Sequence, residues 1–354
     1  LGTFLVRSGL LISMHAFASD PHRGIWILSL IGVYGGSALL LYALKAKALF
    51  TKQSTPLLSK GSAILANQIF LSVMLATVLL GTLYPMALEV LGLGKISVGA
   101  PYFNQVMPLL CMPLLLLLAL LPCLVWQGSS WVIEKNALLR ASGLASVALL
   151  IAWGLLDWQN AHVIAYLVLA CAVAAGIMTI AQGIGIAKRG RLTLTSMGML
   201  IAHLGFIAAM IAMSVTSALS ESRMVALYKD TPYVLAGHTF VYTGSEAIKS
   251  SNYHGVRASI AIQKGQKSWL ANPELRVFEP SQMSLAHTAI IVRPGYDIYM
   301  ALGEPIKAKE KGEGWTIRVQ VKPMVRGIWL SGLMIALGGI LAFFARRKRY
   351  AKAI

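Results

Sequence analysis

Residues 194–219 read LTSMGMLIAHLGFIAAMIAMSVTSAL, a stretch without Asp, Glu, Lys or Arg and with a single histidine, His203. A bilayer core takes about 20 apolar residues in a helix, so this stretch is long enough to cross one. The text changes abruptly after it. From 220 to 325 the apolar residues alternate with polar ones, as in Trp315–Lys322, where Ile317, Val319 and Val321 interleave with Thr316, Arg318, Gln320 and Lys322. Val256, Ala258, Ile260 and Ile262 repeat the pattern. Period-2 alternation broken by Gly, Pro and Asn reads as a small antiparallel sheet or barrel. A segment of about 100 residues is large enough to bury its own core.

Working outward, six further segments reach spanning length, at approximately 24–44, 63–90, 105–126, 141–157, 161–187 and 326–345. Of these, 141–157 is the shortest, closed early by Asp157 and Trp158. Residues 1–14 read as the tail of an eighth. The expectation is a polytopic α-helical membrane protein of about seven spans plus a partial one, carrying an outward, periplasmic antiparallel β domain. Its domains would be 1–219 for the membrane helices, 220–325 for the β domain, and 326–354 for the last span and a basic tail.

Composition agrees. The chain has 354 residues, 57% hydrophobic and 12% charged, with mean hydropathy +0.69. Soluble domains carry about 25% charged residues, so a soluble or disordered chain is excluded. Net charge is +18, which in a soluble protein points to nucleic acid. Here the cations sit on alternate loops: Lys45, Lys47, Lys52 and Lys60; Lys135 and Arg140; Lys188, Arg189 and Arg191; then Arg346, Arg347, Lys348, Arg349 and Lys352. Alternate loops share one face of the membrane, and basic loops stay inside. No nucleic-acid partner is expected; the surrounding partner is membrane lipid. The His15 loop, the 91–104 loop and 220–325 then lie outside.

Cys111, Cys123 and Cys171 all fall in apolar spans without a Cys-x-x-Cys pair, and read as packing residues. No Walker loop, dinucleotide fingerprint or zinc-hydrolase helix appears. The chemical content is in seven histidines. His203 lies roughly 18 Å along its helix from Arg191 at about 1.5 Å per residue, deep in hydrocarbon, where an ionisable side chain is expensive and marks function by default. It serves either as a helix-packing hydrogen-bond partner or as an axial ligand to a buried haem. Gly198, Ala202 and Gly205 open a small-residue surface for a flat macrocycle or another helix. His15 stands at the outer membrane face, as a half-buried interfacial residue or a haem ligand. His22 reads as solvated and His162 as a polar helix end. His238, His254 and His287 fall in the β domain without common spacing, as surface or packing residues.

Several strings carry a family resemblance. Leu1-Gly2-Thr3-Phe4-Leu5-Val6-Arg7-Ser8-Gly9, followed by His15-Ala16-Phe17-Ala18-Ser19-Asp20-Pro21, resembles the CcmF/NrfE family of cytochrome c haem lyase membrane subunits. Leu80–Pro85, Gly94–Gly99 and Pro101–Asn104 are similar to that family too, as are Ala202–Gly205, Asp297–Glu304 and the run from Lys322-Pro323 through Arg326 to Gly339. These collinear matches extend over nearly the whole chain. The resemblance implies that His15 is the axial ligand of an outer haem and His203 the axial ligand of a transmembrane haem b. It implies no catalytic side chain, because the apocytochrome brings its own thiols. It also implies the partners: an N-terminal half bearing the Trp-rich WWD segment, a CcmE-type haem chaperone, a CcmH-type thiol partner and apocytochrome c. The site would be the bacterial inner membrane or its organellar equivalent.

The sequence departs from the family at His287-Thr288-Ala289-Ile290 and at Gly327, and it lacks the second outer and second transmembrane histidine. It therefore reads as the C-terminal half of a haem lyase, truncated or split, offering one ligand per haem. The function implied is cytochrome c maturation: holding haem at the outer face for thioether attachment to apocytochrome c. The alternatives are a non-catalytic scaffold of the same complex and a transporter using His203 as a proton relay. No inverted repeat or intramembrane carboxylate pair supports the transporter.

Overall fold

The computed structural model describes residues 21–49, 56–57, 59–94, 96, 98–124, 163–279, 282–308 and 312–351, with Phe4 and Gly143. Six helices among them are long and apolar enough to cross a membrane, which makes this a multi-pass membrane protein. The expected span at 141–157 and the partial one at 1–14 lie outside the described residues. The chain divides into two compact units, residues 1–114 with 123–134 and residues 115–122 with 135–354.

The first unit holds α1 (Pro21–Leu49), α2 (Lys60–Val90) and most of α3 (Ala100–Leu120). Helix α1 is apolar all round, with Trp26, Val33, Tyr34 and Leu39 exposed, as suits a helix solvated by lipid. Helix α2 contains Pro85, and α3 contains Pro108 and Pro113; each removes one i→i−4 hydrogen bond. Gly81 is required where α2 meets α3, since a Cβ there would lie 2.8 Å from the Tyr102 ring.

The second unit contains α4 (Val163–Lys188) and α5 (Leu194–Leu219). Their turn has a specific chemistry at each end. Gly190, at φ +64, closes α4, with its amide donating to the Ala187 carbonyl and that of Arg191 to Ile186, a Schellman arrangement. Thr193 then caps α5 in a reciprocal box with Ser196. The two helices are therefore an antiparallel hairpin.

Helix α5 runs directly into the β domain. Its strands are β1 (Glu221–Tyr228), β2 (Pro232–Leu235), β3 (His238–Lys249), β4 (Tyr253–Lys264), β5 (Lys267–Ala271), β6 (Glu274–Phe278), β7 (Met283–His287), β8 (Ala289–Arg293), β9 (Tyr296–Ala308) and β10 (Gly312–Pro323). Sheet one has the order β1-β10-β9-β8; sheet two runs β2-β3-β4-β6-β7 with β5 also on β4, all antiparallel. Both sheets keep open edges, so the domain is a sandwich and not a barrel. The alternation reads out as burial: Ile317, Val319, Ala258, Ile260 and Ile262 are fully enclosed between the sheets with Phe240, Ile298 and Met300.

Strand β10 leads into α6 (Val325–Ala351). Because β1 and β10 are paired, Glu221 opposite Val321, the helices before and after the sandwich emerge side by side. Small residues let them close. A Cβ on Gly198 would lie 2.7 Å from the Gly338 carbonyl oxygen, and one on Gly205 would lie 2.9 Å from the Ile335 nitrogen. Small-residue stripes of this kind are how membrane helices approach.

Candidate functional site

Helix α5 is held between α4 and α6. Ile207 and Leu200 reach Gly176 and Gly183 of α4, while Gly198, Ala202 and Gly205 meet α6. The small-residue face expected to admit a macrocycle or a helix is thus taken by α6, which corrects the macrocycle half of that reading. His203 lies elsewhere. At about 100° per residue it sits roughly 130° round the helix from that stripe, on the side of α4 and flanked one turn either way by Met199 and Phe206. The residue is half-buried, and its Nδ1 is sealed from solvent with no hydrogen-bond partner among the described residues. An unsatisfied polar atom costs about 1–3 kcal/mol.

Four buried side-chain atoms lack a hydrogen-bond partner among the described residues: His203 Nδ1, Ser220 Oγ, Arg293 Nε and Asp297 Oδ1. Three of these sit where the sandwich meets its helices. There Asp297 Oδ1 faces Arg326 Nε at 3.2 Å, and the Arg293 guanidinium lies 4.3 Å over the Trp269 ring. Arg326 also donates to the Arg293 carbonyl, and Met324 donates its amide to Gly295 at 2.9 Å. A cleft of about 120 Å³ opens at this junction, lined in part by Tyr296, Asp297 and Arg326. Sequence reasoning passed over this pair, although both residues stand in the strings that carried the resemblance. His203 Nδ1 is the unpartnered atom at membrane depth.

The other histidines separate by surroundings. His238 is in the sandwich core, with Nδ1 2.8 Å from the Ala236 carbonyl and Nε2 3.1 Å from the Tyr296 hydroxyl; burial pulls it below the usual histidine range. His254 pairs with Glu279 at 3.3 Å on the surface. His287 is exposed on β7, in register with Glu274. His22 is exposed near the start of α1. His15 and His162 lie outside the described residues. Cys111, Cys123 and Cys171 are free thiols, and no group of three or more metal-ligating side chains gathers among the described residues. The sandwich's densest polar cluster is Glu274, which accepts from Arg257 at 2.8 Å and from Arg276 at 2.6 Å. Burial alone would raise its carboxyl, but the two arginines outweigh that and hold it below the usual range.

Residues 218–323, the sandwich with its two entry points, match the family described as the CcmF C-terminal beta-sandwich. The sandwich is of the CcmF type. The cytochrome c-type biogenesis protein CcmF of Escherichia coli (strain K12) is 34% identical over 354 residues, covering 99% of this chain and 54% of that protein. The protein of the same name from Pseudomonas aeruginosa is 36% identical over 358 residues, covering 99% and 53%. The NrfE protein of Haemophilus influenzae is 28% identical over 364 residues. The chain therefore spans about half the length of the curated relatives it matches. A solved structure titled Cytochrome c Heme Lyase CcmF shares the fold, with TM-score 0.69 and 20% identity, over 93% of this chain and 51% of that one.

His203 meets the requirement for a haem ligand on its own geometry. It is an imidazole at membrane depth with apolar neighbours on its helix face, and among the described residues no group meets its Nδ1. Among the described residues it supplies one imidazole at membrane depth.

Proposed function

We propose that this CcmF-type chain acts in cytochrome c maturation as part of a haem lyase, with His203 as an axial ligand of a transmembrane haem b and His15 as a ligand of the haem presented at the outer face. The observation that carries the reading is the unpartnered Nδ1 of His203 in the middle of a membrane helix. A resident haem supplies a one-electron iron couple when bound. The chain's own contribution is to hold the imidazole at a fixed depth on the α4 side of α5, in an apolar setting.

The haem to be attached is substrate. Each of two thiols in a Cys-x-x-Cys-His segment of apocytochrome c adds its S–H across one vinyl C=C, giving two thioethers. No protein nucleophile is needed, so the protein acts through orientation and effective concentration. A CcmE-type chaperone delivers that haem, a CcmH-type partner presents the reduced thiols, and a WWD-bearing N-terminal half completes the outer site. The basic residues at Lys45–Lys60 and Lys188–Arg191 support a cytoplasmic side there, in a bacterial inner membrane. By the same parity the sandwich is periplasmic, where it meets the maturation partners.

The test is a visible spectrum of the chain purified with and without an N-terminal CcmF half, repeated with His203→Ala. A reduced b-type spectrum that needs both parts and His203 supports the reading. Absence of haem under every condition overturns it and leaves a scaffold.

A further inference from the structure

The α4–α5 hairpin has a definite register. A Cβ on Gly176 would lie 3.4 Å from Ile207 Cγ2, and one on Gly183 would lie 3.2 Å from Leu200 Cδ1. The contacts are seven residues apart on each helix and run in opposite order. Thr179 follows Gly176 by three residues and precedes Gly183 by four. His203 follows Leu200 by three and precedes Ile207 by four. At about 100° and 1.5 Å per residue, antiparallel helices with these offsets carry Thr179 and His203 to the same flank of the seam, at heights within about 1.5 Å. Burial distinguishes the two flanks: Thr179 is 1% exposed, while Ile180 on the opposite flank is 52% exposed.

A neutral imidazole offers a lone pair on one nitrogen only, and the hydrogen bond made by the other nitrogen decides which. A threonine hydroxyl inside a helix can donate to the carbonyl four residues back, here Ala175, and still has a lone pair to accept with. Resting on the reading of His203 as a haem ligand, we propose that Thr179 is its positioning residue. In the structure Nδ1 is unmet among the described residues; side-chain rotation lets the Thr179 Oγ1 accept a hydrogen bond from His203 Nδ1–H, fixing the Nδ1–H tautomer and leaving the Nε2 lone pair for iron. Side-chain torsions close the bond, since packed helix axes about 8–10 Å apart bring a threonine and a histidine within reach. The orphaned Nδ1 and the buried hydroxyl thereby satisfy each other.

The test uses the full chain in lipid nanodiscs with ¹⁵N-labelled histidine, the His203 signal being the one that His203→Ala removes. The Nδ1–H tautomer alone is expected in the parent and in Thr179→Ser. Thr179→Val, equal in shape but without an acceptor, is expected to show a mixture with the Nε2–H form. Should Thr179→Val not accumulate, Thr179→Ala is read the same way. A tautomer that ignores loss of the hydroxyl, or a parent in the Nε2–H form, overturns the proposal. In the haem-loaded protein, Thr179→Val is expected to bind severalfold less haem and to raise its midpoint potential, since Nδ1 donation strengthens the ligand. The two readings fail separately. Tautomer changes without haem under any condition keep the Thr179 pairing and overturn the haem site; a His203-dependent spectrum indifferent to Thr179→Val does the reverse.

Discussion

Two histidines, one in each part of the second unit, are handled in opposite ways. In the sandwich, His238 is enclosed and both ring nitrogens are met, by the Ala236 carbonyl and the Tyr296 hydroxyl. Ala236 and Gly237 both take positive φ, 49° and 67°, in the β2–β3 turn, which brings that carbonyl under the ring. In the helix pair, His203 keeps Nδ1 dry and unmet. A satisfied histidine has its chemistry consumed by the fold, whereas an unsatisfied one costs stability that the fold must offset elsewhere. In hydrocarbon no water can make up the difference. On the function proposed above, this contrast separates a structural residue from one held for a ligand, and chain position alone does not.

The largest effect that would break the contrast is in the helices. Gly338→Leu puts a side chain where a Cβ would already be 2.6 Å from the Ala202 nitrogen and the Gly198 carbonyl. Overpacking against backbone costs about 3 kcal/mol or more, and the expected result is loss of folded protein by size-exclusion profile in detergent. Second is the mirrored pair. His238→Leu strands the Tyr296 hydroxyl and the Ala236 carbonyl and is expected to destabilise the sandwich by about 2–3 kcal/mol, read from tryptophan fluorescence in a urea melt. His203→Leu removes an unmet polar atom and is expected to leave that melt within about 0.5 kcal/mol while abolishing haem absorbance. A reversed outcome, with His203 structural and His238 dispensable, would collapse the comparison.

Smaller effects sharpen it. Glu274→Gln weakens the bonds from Arg257 and Arg276, which retain access to water; the expected cost is about 1–2 kcal/mol. Least is the pH dependence. The folded His238 titrates below its ordinary 6.5, so its contribution is complete above pH 6.5 and declines as pH falls below it. The folded Glu274 titrates below 4.5, so its contribution is present above pH 4.5 and is lost as pH falls through the lower folded value. Urea midpoints are expected to decline first below pH 6.5 and again in the acid range, with His238→Gln flattening the first decline alone.

Much of the fold is legible in the sequence, because its two signals are strong. Stretches such as 194–219 carry no charge over spanning length, and the register of Ile317, Val319 and Val321 survives unchanged into the sandwich core. Alternation does not say whether the outer strands close on each other, which is why the sequence leaves sheet and barrel open and only the strand pairing shows a sandwich. The site is less legible. Gly198, Ala202 and Gly205 announce close approach but not the visitor, and α6 arrives from more than a hundred residues away. The α4–α5 register depends on Gly176 and Gly183 fitting Ile207 and Leu200, and no single span shows that. Asp297 and Arg326 meet only because the β8–β9 turn and the start of α6 are held together by the Met324–Gly295 bond.

The β1–β10 pairing also has a consequence for biosynthesis. Leu219 ends α5 and Val325 begins α6, so the helix that covers the small-residue face of α5 is made 105 residues later. At roughly 5–20 residues per second, α5 spends roughly 5–20 s without its neighbour. During that interval the Gly198–Gly205 face is open to lipid or to a wrong partner. Closure of the sandwich, by joining the last strand to the first, delivers α6 to its place: the β domain acts as the clamp that ends the exposure of a membrane helix.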